Sequence, residues 1–260
     1  MSKIRLLGTD IDSVTMEAAL GRMEALVLAK RPSYVVTPNV DVLVQLQKDR
    51  EFKRIYDGAS LILPDGMPLI WAGKFLGTPF AAKVSGSDLF VEFCAVAAKK
   101  GFKVYFMGAM PGVAARAAEI LTVRFPGLQV VGTHSPSFGF EKKLEESEEV
   151  ARKIREAAPD VLFLGLGSPK QEKWTDRFKD KHGVPVSVMV GISFDYVAGT
   201  VKRAPVWMQN SGLEWFWRLL MEPRKLWKRY LTTNSEFSWL ASLEIVSRRL
   251  GRAPAAQSLK

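Results

Sequence analysis

One cysteine, Cys94, stands among 260 residues, so the chain can form no internal disulfide and no cysteine-based metal site. Two histidines, His134 and His182, are too few for a histidine-rich metal centre, and neither has an obvious nucleophile partner. Each is expected to be a surface or cleft residue. No apolar run reaches the ~18 residues of a membrane span, and the opening MSKIRLLGTDID turns polar too early for a secretory signal. A G-x-x-x-x-G-K-[ST] loop is missing, which argues against a P-loop NTPase. So are a G-x-S-x-G elbow and a G-x-G-x-x-G turn after a strand, which leaves serine hydrolysis and nicotinamide binding without support. What remains is an ordinary globular composition, 47% hydrophobic and 25% charged, long enough to bury a core without staples.

Charge is present in excess and unevenly placed. The net charge is +10. From Thr200 onward there are 11 basic against 4 acidic residues, a surplus of 7, and five of the seven tryptophans (Trp207, Trp215, Trp217, Trp227, Trp239) lie in the same stretch. Composition therefore changes near residue 200. We expect a core over residues 1–199, a basic, Trp-rich helical appendage over 200–251 and a frayed end over 252–260. Such an appendage suits an anionic surface. Its aromatics fall on the apolar face, which fits lipid or burial better than base stacking, so a basic nucleic-acid-binding module is the weaker alternative. That apolar face is either partly open in solution or buried in an oligomer. Three helical pieces are read there, with Pro223 separating the first from the second.

Upstream, short apolar runs alternate with segments of helical period. Candidate strands are Tyr34–Val36, Leu61–Leu63, Lys103–Met107, Gln129–Val131, Val161–Gly165 and Val186–Val190. Candidate helices are Thr15–Lys30, Ser87–Lys100, Gly112–Arg124, Glu141–Ala157 and Pro169–Lys181. The alternation predicts an α/β fold, a Rossmann-like parallel sheet with helices on both faces. Several strands run straight into helix-start chemistry: Thr37-Pro38-Asn39, Pro64-Asp65-Gly66, Gly108 ahead of Pro111-Gly112, and Gly167-Ser168-Pro169-Lys170-Gln171-Glu172. Helix N-termini then open at the carboxyl edge of the sheet, where unpaired N–H groups suit phosphates.

Each polar residue there has two readings. Thr37 and Ser168 either cap helices, Ser168 with Gln171 as a capping box, or face a ligand. Asp65 either caps the helix after it or projects into the cleft as a general base. Asp195 either binds a ribose or base edge or pairs with a surface cation. Asp10-Ile11-Asp12 could be the metal pair of a sugar transferase or the nucleophile pair of a haloacid-dehalogenase-like phosphatase. The chain contains no Asp-Asp to supply the phosphatase's late acidic pair, and Asp12 lies too near the start for the metal reading. A turn ahead of the Thr15 helix is the preferred account.

The block Pro159-Asp160-Val161-Leu162-Phe163-Leu164-Gly165-Leu166-Gly167-Ser168-Pro169-Lys170-Gln171-Glu172-Lys173-Trp174 closely resembles the signature of the WecG/TagA/CpsF family of bacterial glycosyltransferases. So do Pro64–Pro68, Lys83–Asp88, Val190–Asp195, Arg203-Ala204-Pro205, Gly212–Arg218 and Glu222-Pro223-Arg224. The resemblance runs from about Thr9 to Tyr230. It implies inverting, metal-independent transfer, without a cofactor, from a UDP-sugar to a sugar on an undecaprenyl diphosphate carrier. It also implies a peripheral place on the inner face of the bacterial membrane, and no nucleic-acid partner. By position, Asp65 matches the family's base, Thr37, Asn39 and Gln171 match polar residues around donor and acceptor, and Arg218 matches a tail arginine reaching the site. Gly108, Gly167, Gly191 and Asp195 form the expected nucleotide-binding set. Arg224, Lys225, Lys228 and Arg229 are expected to meet the acceptor diphosphate or the membrane. Lys83 stands where many members have arginine, replacing a bidentate clamp by a point charge.

Overall fold

The computed structural model describes residues 2–250; for residues 225, 226 and 228–231 only the backbone is described. The segment expected to fray, 252–260, lies outside the described residues. Six strands form one parallel sheet: β3 (Ser33–Val36), β4 (Leu61–Ile62), β5 (Lys103–Gly108), β6 (Gln129–His134), β7 (Val161–Gly165) and β8 (Val186–Met189), in the order β4-β3-β8-β7-β5-β6. All six candidate strands are therefore present, with ends shifted by at most a few residues. The central strands β3, β7 and β8 are buried at every position, as a sheet covered on both faces requires. Register pins them together: Val161 lies opposite Val104 of β5 and Val186 of β8.

Two helical layers cover the sheet. On one face lie α1 (Met16–Ala29), α5 (Gly86–Lys100), α6 (Val113–Arg124) and the short α9 (Ser193–Ala198). Their core is aromatic: Phe90 meets the rings of Phe106, Phe163 and Phe194 edge-on at 4.9–5.2 Å, the geometry ring quadrupoles favour. Phe194 thereby fixes α9, and with it Asp195, at the end of β8. The other face carries α2 (Val40–Leu46), α3 (Arg50–Asp57), α7 (Leu144–Ala157) and α8 (Lys170–His182). Helix α4 (Met67–Phe75) follows β4 at the edge of the sheet.

Two local readings are corrected. Asp10-Ile11-Asp12 is not a turn: Thr9–Asp12 is strand β2, paired antiparallel with β1 (Lys3–Leu6) in a hairpin outside the main sheet. The tail beyond α10 (Val206–Asn210) and α11 (Glu214–Met221) is also not broken into further pieces. Pro223 occupies the first turn of one continuous helix, α12 (Pro223–Arg249), where its missing N–H is harmless. The second half of α12 packs on α2 through Phe237 and Ala241. Glu244 there accepts the Leu7 amide at 2.7 Å, and Arg248 donates to the Arg5 carbonyl. No helix among the described residues is long and apolar enough to cross a membrane.

Candidate active site

The helix starts at the carboxyl edge separate caps from uncommitted polar groups. Asn39 is the N-cap of α2, its Oδ1 accepting the Val42 amide at 3.1 Å. Thr37, two residues before that cap, caps nothing; its hydroxyl turns to the Met189 carbonyl at the end of β8, at a long 3.5 Å. Ser168 is not a cap either. Pro169 starts α8 without a side-chain cap, and Ser168 Oγ is buried with no partner, so the capping-box reading fails. Gln171 is buried in the first turn of α8 and donates from Nε2 to Glu172 Oε1 at 3.2 Å, while its Oε1 has no partner.

Asp65 sits after β4, its amide bonded to the Pro38 carbonyl at 3.0 Å. Gly66 takes the N-cap position of α4 with no side-chain cap, so Asp65 does not cap it. The residue is half-buried, with protein packed closely around its carboxyl. The carboxyl is pushed up to about 7, first by burial and then by the charge of Glu214 from the tail. Lys83 and the Gly86 amide at the start of α5 oppose that rise; Asp88 adds to it. Nothing in the sequence reading singled out Glu214, because only the folded tail brings α11 to β4.

A second buried carboxyl was also missed, although it lies inside the signature block. Glu172 is pushed up to about 7, chiefly by burial. Gln171, Ser168 and Tyr56 of α3 stand close enough to pull it back part of the way, though Glu172 Oε2 has no partner in hydrogen-bonding geometry. Tyr56 is itself raised well above its ordinary value, by burial and by the charges of Glu172 and Asp65. Buried titratable groups are thus gathered behind the loops after β4 and β7.

The expected nucleotide set divides. Gly167 and Gly191 stand at the ends of β7 and β8 with the sheet edge open beside them. Gly108 differs in its surroundings: a Cβ there would lie 2.5 Å from the Gly165 backbone of the next strand. Asp195 pairs with no cation among the described residues; its Oδ1 accepts the Thr200 hydroxyl at 3.1 Å. In the tail, Arg218 is half-buried on α11 and Arg224 is exposed at the start of α12. The side chains of Lys225, Lys228 and Arg229 lie outside the described residues.

The remaining candidates are structural. Asp12 is buried, accepting the Ile62 amide at 2.9 Å on one oxygen and Arg22 at 2.8 Å on the other, so it has no vacancy for a metal or a phosphoryl group. Asp10 is exposed and pairs with Arg5. That removes the phosphatase reading. His182, expected at the surface or in a cleft, is a core residue: it stacks on Trp174 at 5.8 Å, accepts the Val184 amide on Nδ1, and burial lowers it to about 4. His134 ends the edge strand β6, half-buried. No group of three or more potential metal ligands occurs among the described residues.

Residues 4–251 match the family described as glycosyl transferase WecG/TagA/CpsF. Among curated proteins, the chain is similar to an N-acetylglucosaminyldiphosphoundecaprenol N-acetyl-beta-D-mannosaminyltransferase of Bacillus spizizenii, 34% identical over 200 residues, which are 77% of this chain and 75% of that one. The protein so named in Bacillus subtilis is 32% identical over 76% of this chain and 75% of its own. Its namesake in Staphylococcus aureus is 29% identical over 97% of this chain and 96% of its own. The uncommitted carboxylate at the sheet's carboxyl edge, the strands that frame it and the match along nearly the whole chain agree: the protein belongs to the WecG/TagA/CpsF glycosyltransferase family.

Proposed function

We propose that the protein transfers N-acetylmannosamine, or a closely related sugar, from a UDP-sugar to a sugar on an undecaprenyl diphosphate carrier. The substrate assignment rests on the relatives' names, which specify the acceptor carrier and the sugar moved. The mechanism rests on one observation: Asp65, at the carboxyl end of β4, caps no helix and has its pKa pushed up to about 7. A general base works best when its pKa lies near the operating pH. Asp65 takes the proton of the acceptor hydroxyl, the freed oxygen attacks the anomeric carbon from the face opposite UDP, and the configuration inverts in that single displacement. The leaving diphosphate needs positive charge and oriented N–H groups. Helix N-termini at the edge, Lys83 and Arg218 supply them, so divalent metal is not required. Thr37, Asn39 and Gln171 hold the sugars; Asp195, Gly167 and Gly191 hold the nucleotide.

The tail has a second task in this reading. Exposed Trp207, Trp215 and Trp227, with the basic residues around Arg224, hold the enzyme on an anionic membrane where the lipid acceptor resides. Each Lys or Arg near such a surface contributes roughly 1 kcal/mol.

Asp65→Asn is the deciding variant. Turnover should fall about 10²–10⁴-fold while UDP binding, measured by calorimetry, stays near wild type. The wild-type rate should rise with pH through about 7, because only the deprotonated carboxylate accepts a proton. Full turnover in the variant would reduce Asp65 to a structural residue. Loss of transfer in EDTA, restored by Mn²⁺ or Mg²⁺, would overturn the metal-free step.

A further inference from the structure

One side chain ties the core beside Asp65 to the tail. Arg203 lies between α9 and α10, on the link from core to tail, with its side chain only 22% exposed. Nη1 and Nη2 grip Asp88 in a fork, at 2.5 and 3.1 Å, and Nη2 lies 3.4 Å from Ser85 Oγ. Nε faces the other way, to Glu214 Oε1 at 3.4 Å. Its two grips belong to different parts of the molecule. Ser85 is the N-cap of α5, accepting the Asp88 amide and donating to Asp88 Oδ2 at 2.6 Å. That cap orients the helix end whose Gly86 amide faces Asp65. Glu214 is the first residue of α11, one turn before Arg218.

The neighbouring contacts fix the same segment. Trp217 Nε1 donates to the Lys202 carbonyl at 3.1 Å. Gly212, with φ +72°, sits so close to α4 that a Cβ would lie 2.6 Å from the Trp71 ring and 2.9 Å from Met67 Cβ. Helix α11 is thus held against α4 on one side and against the start of α5 on the other. Glu214 at the start of α11 thereby lies near enough for its charge to act on Asp65.

We propose that Arg203 is a positioning residue for the transfer reaction: by clasping the Asp88–Ser85 cap to Glu214 it sets α11, with Glu214 and Arg218, over Asp65. The inference rests on Asp65 being the base. Planar, forked and always charged, Arg203 can hold two carboxylates in fixed directions, which a lysine ammonium cannot. The groups facing Asp65 are Glu214 from α11, Lys83 from the loop before α5, Asp88 and the Gly86 amide from α5, and Tyr56 from α3. Of these, Glu214 alone depends on the tail's position. Its charge holds the Asp65 carboxyl up, so removing that charge shifts the acid limb of the rate profile to lower pH.

The test is a cycle of Arg203→Ala and Glu214→Gln, read by the pH profile of kcat, the donor KM and thermal unfolding. Misplacement of a catalytic segment costs about 10- to 100-fold in rate. We expect Arg203→Ala to lower kcat by that factor with donor KM nearly unchanged, and Arg203→Lys to restore only part of it. Glu214→Gln should shift the acid limb downward in the wild-type background and leave it unmoved in the Arg203→Ala background, because a displaced α11 no longer brings residue 214 to Asp65. If Arg203→Ala fails to fold, Asp88→Asn opens the same clasp from the core side and must show the same loss of coupling. An undiminished Glu214 effect in the opened clasp, or wild-type kcat in Arg203→Ala, overturns the proposal. Neither result touches Asp65 itself: a fully active Asp65→Asn would refute the base, whereas an inactive Asp65→Asn beside a fully active Arg203→Ala refutes only the clasp.

Discussion

The two halves of the tail share a composition and differ in what they do with it. Helices α10 and α11 leave Trp207 65% and Trp215 37% exposed, and α11 buries none of its residues. The second half of α12 buries Phe237 and Ala241 against α2 and commits Glu244 to the Leu7 amide. Both halves are helical with apolar stripes, so helical period alone cannot distinguish a stripe that finishes the core from one left for another surface. The difference lies in the partner: α2 and the β1–β2 hairpin offer an apolar face and a backbone amide to one half, whereas the other is held mainly at its ends, by Gly212 against α4 and by Arg203 on Glu214, and leaves its large rings at the surface. A single truncation after Gly199 would confound the two, and point substitutions separate them.

The largest effect should come from Phe237→Ala. Emptying that buried ring site should cost about 3–5 kcal/mol in denaturant unfolding, while membrane partition of the remaining folded protein stays unchanged. Glu244→Ala comes next. It strands the Leu7 N–H and frees Arg248, and should cost about 1–3 kcal/mol; Glu244→Gln, which still accepts that hydrogen bond, should recover much of it. Trp207→Ala with Trp215→Ala should change stability least, within about 0.5 kcal/mol per site. Yet the pair should weaken sedimentation with anionic liposomes most of all. Equal destabilisation by the tryptophan and phenylalanine variants would erase the contrast between the halves.

A pH measurement sharpens the comparison from the core side. Glu172 is raised in the folded protein, so the native state holds its proton where the unfolded chain has released it. Its contribution to stability is complete below the ordinary glutamate range and is lost as pH climbs through about 7. Relative to wild type, Glu172→Gln should therefore gain stability between pH 5 and pH 8, where the exposed half of the tail predicts no such slope.

Legibility in the sequence followed the range of the determining contact. Strands β3 to β8 were readable because buried parallel strands are continuous apolar runs, and α1, α5 and α8 because their apolar positions recur at helical spacing. The hairpin was missed because four-residue strands carrying Asp10 and Asp12 look like a turn until Ile62 and Arg22 occupy Asp12. The break expected at Pro223 is there, between α11 and α12; the second break, expected ahead of Phe237, is absent and came from the polar run Thr232–Ser235 that blurs the stripe of α12. Asp65 was visible as one of two things; the structure removed the cap by giving that position to Gly66. Thr37 and Asn39 could not be told apart, since cap and neighbour are both good cap formers. Arg203, Glu214 and Tyr56 had no local signal, as their meaning arises from segments far apart in the chain.

That distance has a consequence for how the protein is made. The Leu7 amide meets its acceptor 237 residues later, and β3 gains its inner neighbour only when Val186–Met189 emerges. A nascent chain on the ribosome therefore carries an open sheet edge until β8 emerges, and the Leu7 amide of its first hairpin waits longer still, for Glu244. Long-range closure of this kind is slow and leaves sticky edges exposed. Chaperone demand should be concentrated in that interval, and a chain halted before Glu214 lacks a residue that acts on its base.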